Sequence, residues 1–371
     1  VYEFAYEESI AEPSSEPLSD ETQSLTKSYP AQAKRSRLAM LQKRLDDYRA
    51  LGDGICEREV RSDALLKIGI LHRELGEVVE AKRAFEESLA IARGQSDLKK
   101  IAQLTLNLGI IARHTDDYNE AQRLYEESLR CYRALGDQSG VALVKQQLGL
   151  LAQNTRCYDE AQRMFEESLA ISRDQGDLIG VAVSLRELGL LAQGRRDFDE
   201  ARRLYQEAGA IFEQLGDKWD QATLLRHLGT LARNQGDYEK AQRLYEESLA
   251  IKRELGDKLG EANSLHQLGN VAFLRGNYAA AREPYEASLE IRRELGDKAR
   301  AAETLAQLGR LAEIEQDHVT AVRLWMEALK TFRGLESPHA KTVEQWLEDL
   351  RVKLGESTFE GIENAATRQT K

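Results

Sequence analysis

Three kinds of side chain in this sequence have types and spacings that could do chemistry: adjacent carboxylates, histidines and cysteines. Glu126-Glu127, Glu166-Glu167 and Glu246-Glu247 are paired acids of the sort that acid–base catalysis uses. They recur with one fixed period, however, and Arg123, Arg163 and Arg243 stand four residues before the second Glu of each pair. That spacing predicts a solvated helix face laced with weak ion pairs. The histidines (His72, His114, His227, His266, His318, His339) are scattered. His227 and His266 fall on successive predicted helices and could approach each other as a metal pair, against the plainer reading of ordinary surface histidines. Cys56, Cys131 and Cys157 are an odd set without paired spacing, which predicts reduced thiols in a cytoplasmic protein. Phosphate-loop, dinucleotide, His-Glu-x-x-His and Cys-x-x-Cys motifs are missing from the sequence. The expectation is a protein that is not an enzyme and needs no cofactor or metal.

What positions these residues follows from composition and pattern. Of 371 residues, 42% are hydrophobic and 31% charged, which suits a folded soluble chain; five prolines and 6% aromatics favour long helices over sandwiches. The net charge of -11 is uneven. Residues 1–30 carry seven acids (Glu3, Glu7, Glu8, Glu12, Glu16, Asp20, Glu21) against Lys27, together with Pro13 and Pro17, and read as a disordered acidic tail or linker. Overall acidity argues against direct nucleic-acid binding, which needs clustered Lys and Arg. No apolar run approaches the roughly 20 residues of a membrane helix, and no secretion signal or Asn-x-Ser/Thr site occurs. A start at Val1 raises the expectation of a piece cut from a larger protein.

The dominant signal is a forty-residue repeat. Ile68-Gly69, Leu108-Gly109, Leu148-Gly149, Leu188-Gly189, Leu228-Gly229, Leu268-Gly269 and Leu308-Gly309 recur without insertion. Ala81, Ala121, Ala161, Ala201, Ala241, Ala281 and Ala321 keep step, each followed four residues later by an aromatic: Phe85, Tyr125, Phe165, Tyr205, Tyr245, Tyr285 or Trp325. Each unit reads as two antiparallel helices, A and B, of about 17 residues and roughly 25 Å each. Leu-Gly-Asp punctuation at 135–137, 215–217, 255–257 and 295–297 closes one helix on Gly and caps the next with Asp. Asp117, Asp197, Asp237, Asn277 and Asp317 stand at the B-helix caps, and Asp117/Glu120 and Asp197/Glu200 have capping-box spacing. A mid-helix Gly costs about 1 kcal/mol relative to Ala. Seven of them predict close helix approach, with Gly149 against Phe165 and Gly229 against Tyr245.

This pattern, with a small residue following at Ser88, Ser128, Ser168, Ala208, Ser248, Ser288 and Ala328, resembles the tetratricopeptide repeat over roughly residues 60–334. The usual unit is about 34 residues, so the forty-residue form is similar to the arrays of kinesin light chains, of the spindle-orientation scaffolds named for a Leu-Gly-Asn motif (here Leu268-Gly269-Asn270), and of bacterial signalling ATPases and transcription regulators. The resemblance implies an all-α, right-handed α-solenoid of antiparallel helix pairs. The domain plan is a tail over 1–30, a capping helix over 31–53, seven units over 54–334, a C-terminal capping helix over 335–354 and a flexible tail over 355–371. Ser337-Pro338 reads as the start of that last helix.

In such arrays the A helices line a concave groove. Carried over by register, the residues facing it are Asn107, Ile110, Arg113 and His114; Gln146, Gln147, Leu150, Gln153 and Asn154; Arg186, Glu187, Leu190 and Gln193; Arg226, His227, Thr230, Arg233 and Asn234; His266, Gln267, Asn270 and Phe273; and Gln307 and Arg310. The core columns agree among units and these do not, as a ligand-specifying surface requires. Arginine forks suit carboxylates, and Asn and Gln suit a ligand backbone. The expectation is therefore a scaffold binding a protein or peptide segment of acidic character, with Arg186, Arg226 and Arg233 as leading cations. Phe273 either anchors a ligand side chain or is a packing variant. The Lys-Asn and Lys-Arg pairs of chaperone-tail clamps are missing from the corresponding places. The alternatives are a merely solvated spacer, or a sensor arm of a larger signalling ATPase or transcription regulator.

Overall fold

The computed structural model describes residue 35, residues 38–43 and residues 55–369. The tail expected over 1–30 lies outside them, and the capping helix expected over 31–53 is described only at 35 and 38–43, which are helical. The described residues from 55 onward are helices joined by short turns: α1 (Ile55–Glu74), α2 (Val78–Gly94), α3 (Leu98–His114), α4 (Tyr118–Leu135), α5 (Gln138–Asn154), α6 (Tyr158–Gln175), α7 (Leu178–Gly194), α8 (Phe198–Leu215), α9 (Lys218–Asn234), α10 (Tyr238–Glu254), α11 (Lys258–Leu274), α12 (Tyr278–Leu295), α13 (Lys298–Ile314), α14 (His318–Gly334), α15 (His339–Leu354) and α16 (Glu356–Gln369). The protein is all-α.

The chain divides into two compact units, the first ending at Ile211 and the second beginning at Phe212. In the first, α1 packs on α2, α3 on α4 and α5 on α6; each B helix also meets the next A helix, and α3, α5 and α7 touch in succession. The second repeats this scheme with α9/α10, α11/α12 and α13/α14.

The glycine–aromatic pairing is present in every pair. A Cβ built on Gly149 would stand 2.5 Å from the Phe165 ring, on Gly189 2.5 Å from Tyr205, on Gly229 2.7 Å from Tyr245, and on Gly309 2.5 Å from Trp325. These are distances no real Cβ tolerates, so only hydrogen at that position admits the ring. The rings are fully buried. The small column after the aromatic does more than save space. The hydroxyls of Ser128, Ser168, Ser248 and Ser288 donate to the carbonyls of Ala102, Ala142, Ala222 and Ala262, 26 residues earlier, at 2.8–3.0 Å. Each bond ties a B helix to its own A helix.

The caps form as their chemistry requires. Amides of Lys100, Gly140, Gly180, Asp220, Gly260 and Arg300 donate to Asp97, Asp137, Asp177, Asp217, Asp257 and Asp297. Gly136 ends α4 in the left-handed conformation at φ 68°. The B helices are capped by Asp117, Asp197, Asp237, Asn277 and Asp317. The capping box is only half built. The Asp117 amide donates to the Ala112 carbonyl, and Glu120 is held instead by Arg123. Cys157 occupies the α6 cap position without a side-chain bond.

At the C-terminus α15 packs on α14, and the Ser337 hydroxyl accepts from the His339 amide at 3.4 Å. Where a flexible tail over 355–371 was expected, the described residues carry α16 over Glu356–Gln369. Phe359 and Ala366 are buried in the same core as Trp325 and Val343, and the Arg351 guanidinium lies 4.8 Å above the Phe359 ring. Phe359, Ile362 and Ala366 fall at three- and four-residue steps, the helical period, and Ile362 packs against the same core. Among the described residues no helix is long and apolar enough to cross a membrane.

Candidate binding surface of the A helices

A helices sit between B helices and neighbouring A helices, so their inward polar side chains meet the next repeat as well as solvent. In the first unit, Arg73 of α1 donates to the Asn107 side chain of α3 at 2.7 Å, and the Asn107 amide donates to the Gln103 carbonyl. Gln146 of α5 bonds the Gly180 carbonyl and the Ser184 hydroxyl of α7. Lys145 reaches Glu167. Arg186 is 2% exposed and paired with Glu187 at 2.9 Å. Gln193 accepts from the Tyr205 hydroxyl at 3.2 Å. Arg113 donates to the His114 ring at 3.1 Å. Burial first, then the Arg113 and Arg73 charges, lower the His114 pKa to about 4, with Asp116 opposing them, so the imidazole is neutral at pH 7. The Tyr118 hydroxyl donates to Asp116 at 2.7 Å, and Asn154 is half-buried.

In the second unit, Arg226 bonds the His227 ring at 3.3 Å. Arg233 of α9 donates to Gln267 of α11 at 2.7 Å and contacts half-buried Asn234 at 3.4 Å. Asn270 donates to Gln267 and accepts from the Tyr285 hydroxyl at 2.7 Å. His266 bonds the Thr304 hydroxyl and lies 5.4 Å from the Tyr285 ring. The two histidines are thus engaged with different partners, and among the described residues no three His, Cys, Asp or Glu gather as a metal set. Phe273 is 8% exposed, edge-on to Tyr278 at 5.3 Å and under the Arg310 guanidinium at 4.5 Å. Arg310 also lies 5.2 Å above Trp346.

These residues stand on the A helices, and most are engaged there by neighbouring side chains. Arg186, Arg226 and Arg233 are buried, whereas His114, Asn154, Asn234 and Arg310 keep partial exposure. Arg73 escaped the projection although its position repeats at Arg113 and Arg233; that forty-residue echo was the signal. The paired glutamates are tied down too, partly across repeats. Arg93 bonds Glu127 at 2.6 Å, while Glu126 accepts from Gln122.

Helix pairs repeated every forty residues, each packed on a glycine–aromatic contact, with polar side chains crowding one helix set, define an all-α helical-repeat protein of the interaction type. The chain belongs to the tetratricopeptide repeat family, whose model matches residues 60–134, 139–214 and 220–294. No curated protein matches the chain. Among solved structures it is similar to BtubC from P. vanneervenii (23% identity, TM-score 0.51, covering 59% of this chain and 91% of that one). It is also similar to a Rap protein complexed with competence and sporulation factor (14% identity, TM-score 0.56, covering 92% and 100%). A third is a signal-transduction ATPase with a tetratricopeptide repeat sensor from Pyrococcus horikoshii (15% identity, TM-score 0.57), of which the chain covers 55% while 89% of the chain is matched.

Proposed function

We propose that the chain is a scaffold that binds a protein or peptide segment, acidic in character, along the A-helix surface. The observation carrying this reading is a contrast within one register. The core columns repeat in all seven units, while the position before each Leu-Gly leucine reads Asn107, Gln147, Glu187, His227, Gln267 and Gln307. The constant set holds the fold, and a varied column on one helix set is what recognition of a particular segment uses. Guanidinium groups on several A helices favour a ligand bearing carboxylates. The Rap protein seen with competence and sporulation factor supplies a precedent for such a fold holding a factor.

Reversing the charge of Arg186, Arg226 and Arg233 would test the fold as much as the binding, because all three are buried. Panning a random-peptide display library against the chain and against Asn154→Ala and Asn234→Ala variants is cleaner. Acidic sequences should be enriched, bind less tightly as salt rises, and lose several-fold in affinity in at least one variant. Binders without acidic bias that treat all three proteins alike would refute the reading.

A second reading, a sensor arm of a larger signalling ATPase, draws support from the likeness to the repeat sensor of the Pyrococcus horikoshii protein. Reading the flanking gene sequence decides it: a nucleotide-binding domain in frame supports an arm, and its absence removes the idea.

A further inference from the structure

One register position behaves differently from its equivalents. Arg73 donates across to Asn107, and Arg233 across to Gln267, each to a side chain 34 residues ahead. Arg113 stands in the same register, and its counterpart acceptor is Gln147. That bond is not made. Arg113 turns to the neutral His114 ring instead. Its Nε and the Gln147 Oε1 are both buried without a hydrogen-bond partner. Arg113 is 6% exposed and Gln147 2%. Asp116 Oδ1 accepts from the Tyr118 hydroxyl, and among the described residues Arg113 forms no ion pair. A buried guanidinium without an ion pair and a buried acceptor without a donor are each costly, and natural folds keep them where something else completes them.

We propose that Arg113 and Gln147 together receive one acidic residue of an extended partner segment, the guanidinium taking its carboxylate and Gln147 Oε1 accepting a peptide N–H beside it. The pairing matches what each group lacks. Arg113 offers donors in a planar fork, suited to a carboxylate. Gln147 Oε1 offers an acceptor, which a bare anion cannot use and a peptide can. His114, half-buried and bonded to Arg113, borders the site and reports on it. This inference rests on the acidic-segment reading and narrows it to two residues of the first unit.

The test follows the His114 ring in the full chain, labelled with nitrogen-15 histidine, during titration with three probes: a blocked penta-aspartate peptide, a blocked penta-asparagine peptide and inorganic phosphate. The aspartate peptide alone should move the His114 resonances. Arg113→Gln should weaken its binding tenfold or more and Gln147→Leu several-fold, while Arg113→Lys retains part of it. The melting temperature of free Gln147→Leu should not fall, because a purely structural glutamine would lower it. If penta-aspartate binds but both variants keep its affinity within twofold, this site is wrong and the acidic-segment reading survives. Failure of penta-aspartate to bind wild type would count against both. An equal response to phosphate would mean an anion site without the peptide contact, and would overturn the pairing with Gln147. The wild-type titration stands even if a variant fails to fold.

Discussion

The Tyr245 ring covers the α-carbon of Gly229 so closely that an added methyl would lie 2.7 Å from ring carbon Cε1, and its hydroxyl donates to Thr230 Oγ1 at 3.0 Å. One residue thus fixes both how near α9 and α10 approach and how a buried hydroxyl is satisfied.

From this contact, Tyr245→Ala should cost roughly 3–5 kcal/mol, as large-to-small core changes do. Gly229→Ala should cost about 1–2 kcal/mol, since overpacking outweighs the gain in helix propensity. The double variant should be less destabilised than the sum, because removing the ring admits the methyl. Urea melts of the four proteins measure the coupling; strict additivity would dissociate the two residues.

Cys157 holds the same backbone conformation at the start of α6 (φ -86°, ψ 64°) as Asp117 at the start of α4 (φ -84°, ψ 70°), but makes no cap bond. Cys157→Asp should therefore add about 1 kcal/mol of stability. A denaturation midpoint equal to wild type would show that the carboxylate does not reach the α6 amides.

The fold holds the His114 pKa at about 4, against 6.5 in an unconstrained ring. Between those values the unfolded chain binds more protons than the folded one, so stability rises with pH across this window and levels off above it. Acidification from pH 7 to 4 should remove no more than about 3 kcal/mol through this group. Melting temperature against pH for wild type and His114→Gln isolates the effect: the difference between the curves should grow as pH falls below 6.5. Parallel curves would mean the ring titrates normally.

Phe359 anchors α16 on the core of the second unit, where it is 1% exposed. Phe359→Ala should cost roughly 3 kcal/mol, felt locally because a repeat array is held by neighbour contacts. Hydrogen exchange should accelerate in α14, α15 and α16 and stay unchanged in α1–α6. Unaltered protection in α14 would show that α16 contributes nothing to the end of the array.

The sequence by itself determined the repeat, the helix pairs, the caps and the glycine–aromatic contacts. Each of these is a local or nearly local rule: a 3.6-residue period, an Asp before free amides, a ring facing a residue with no side chain. It also pointed to the A helices as the variable surface. Only the tertiary structure decided what those side chains do. Arg73 and Arg233 reach across to the next A helix while Arg113, in the same register, does not, because the choice depends on neighbours 34 residues away and on a histidine one residue away. The serines after the aromatics read as merely small, yet their hydroxyls tie helix to helix, since a carbonyl left partly open by the opposing helix is visible only once the two are packed. The helix at 356–369 was legible in the three- and four-residue steps of Phe359, Ile362 and Ala366, but that this face packs on α14 is a long-range contact that only the tertiary structure decided.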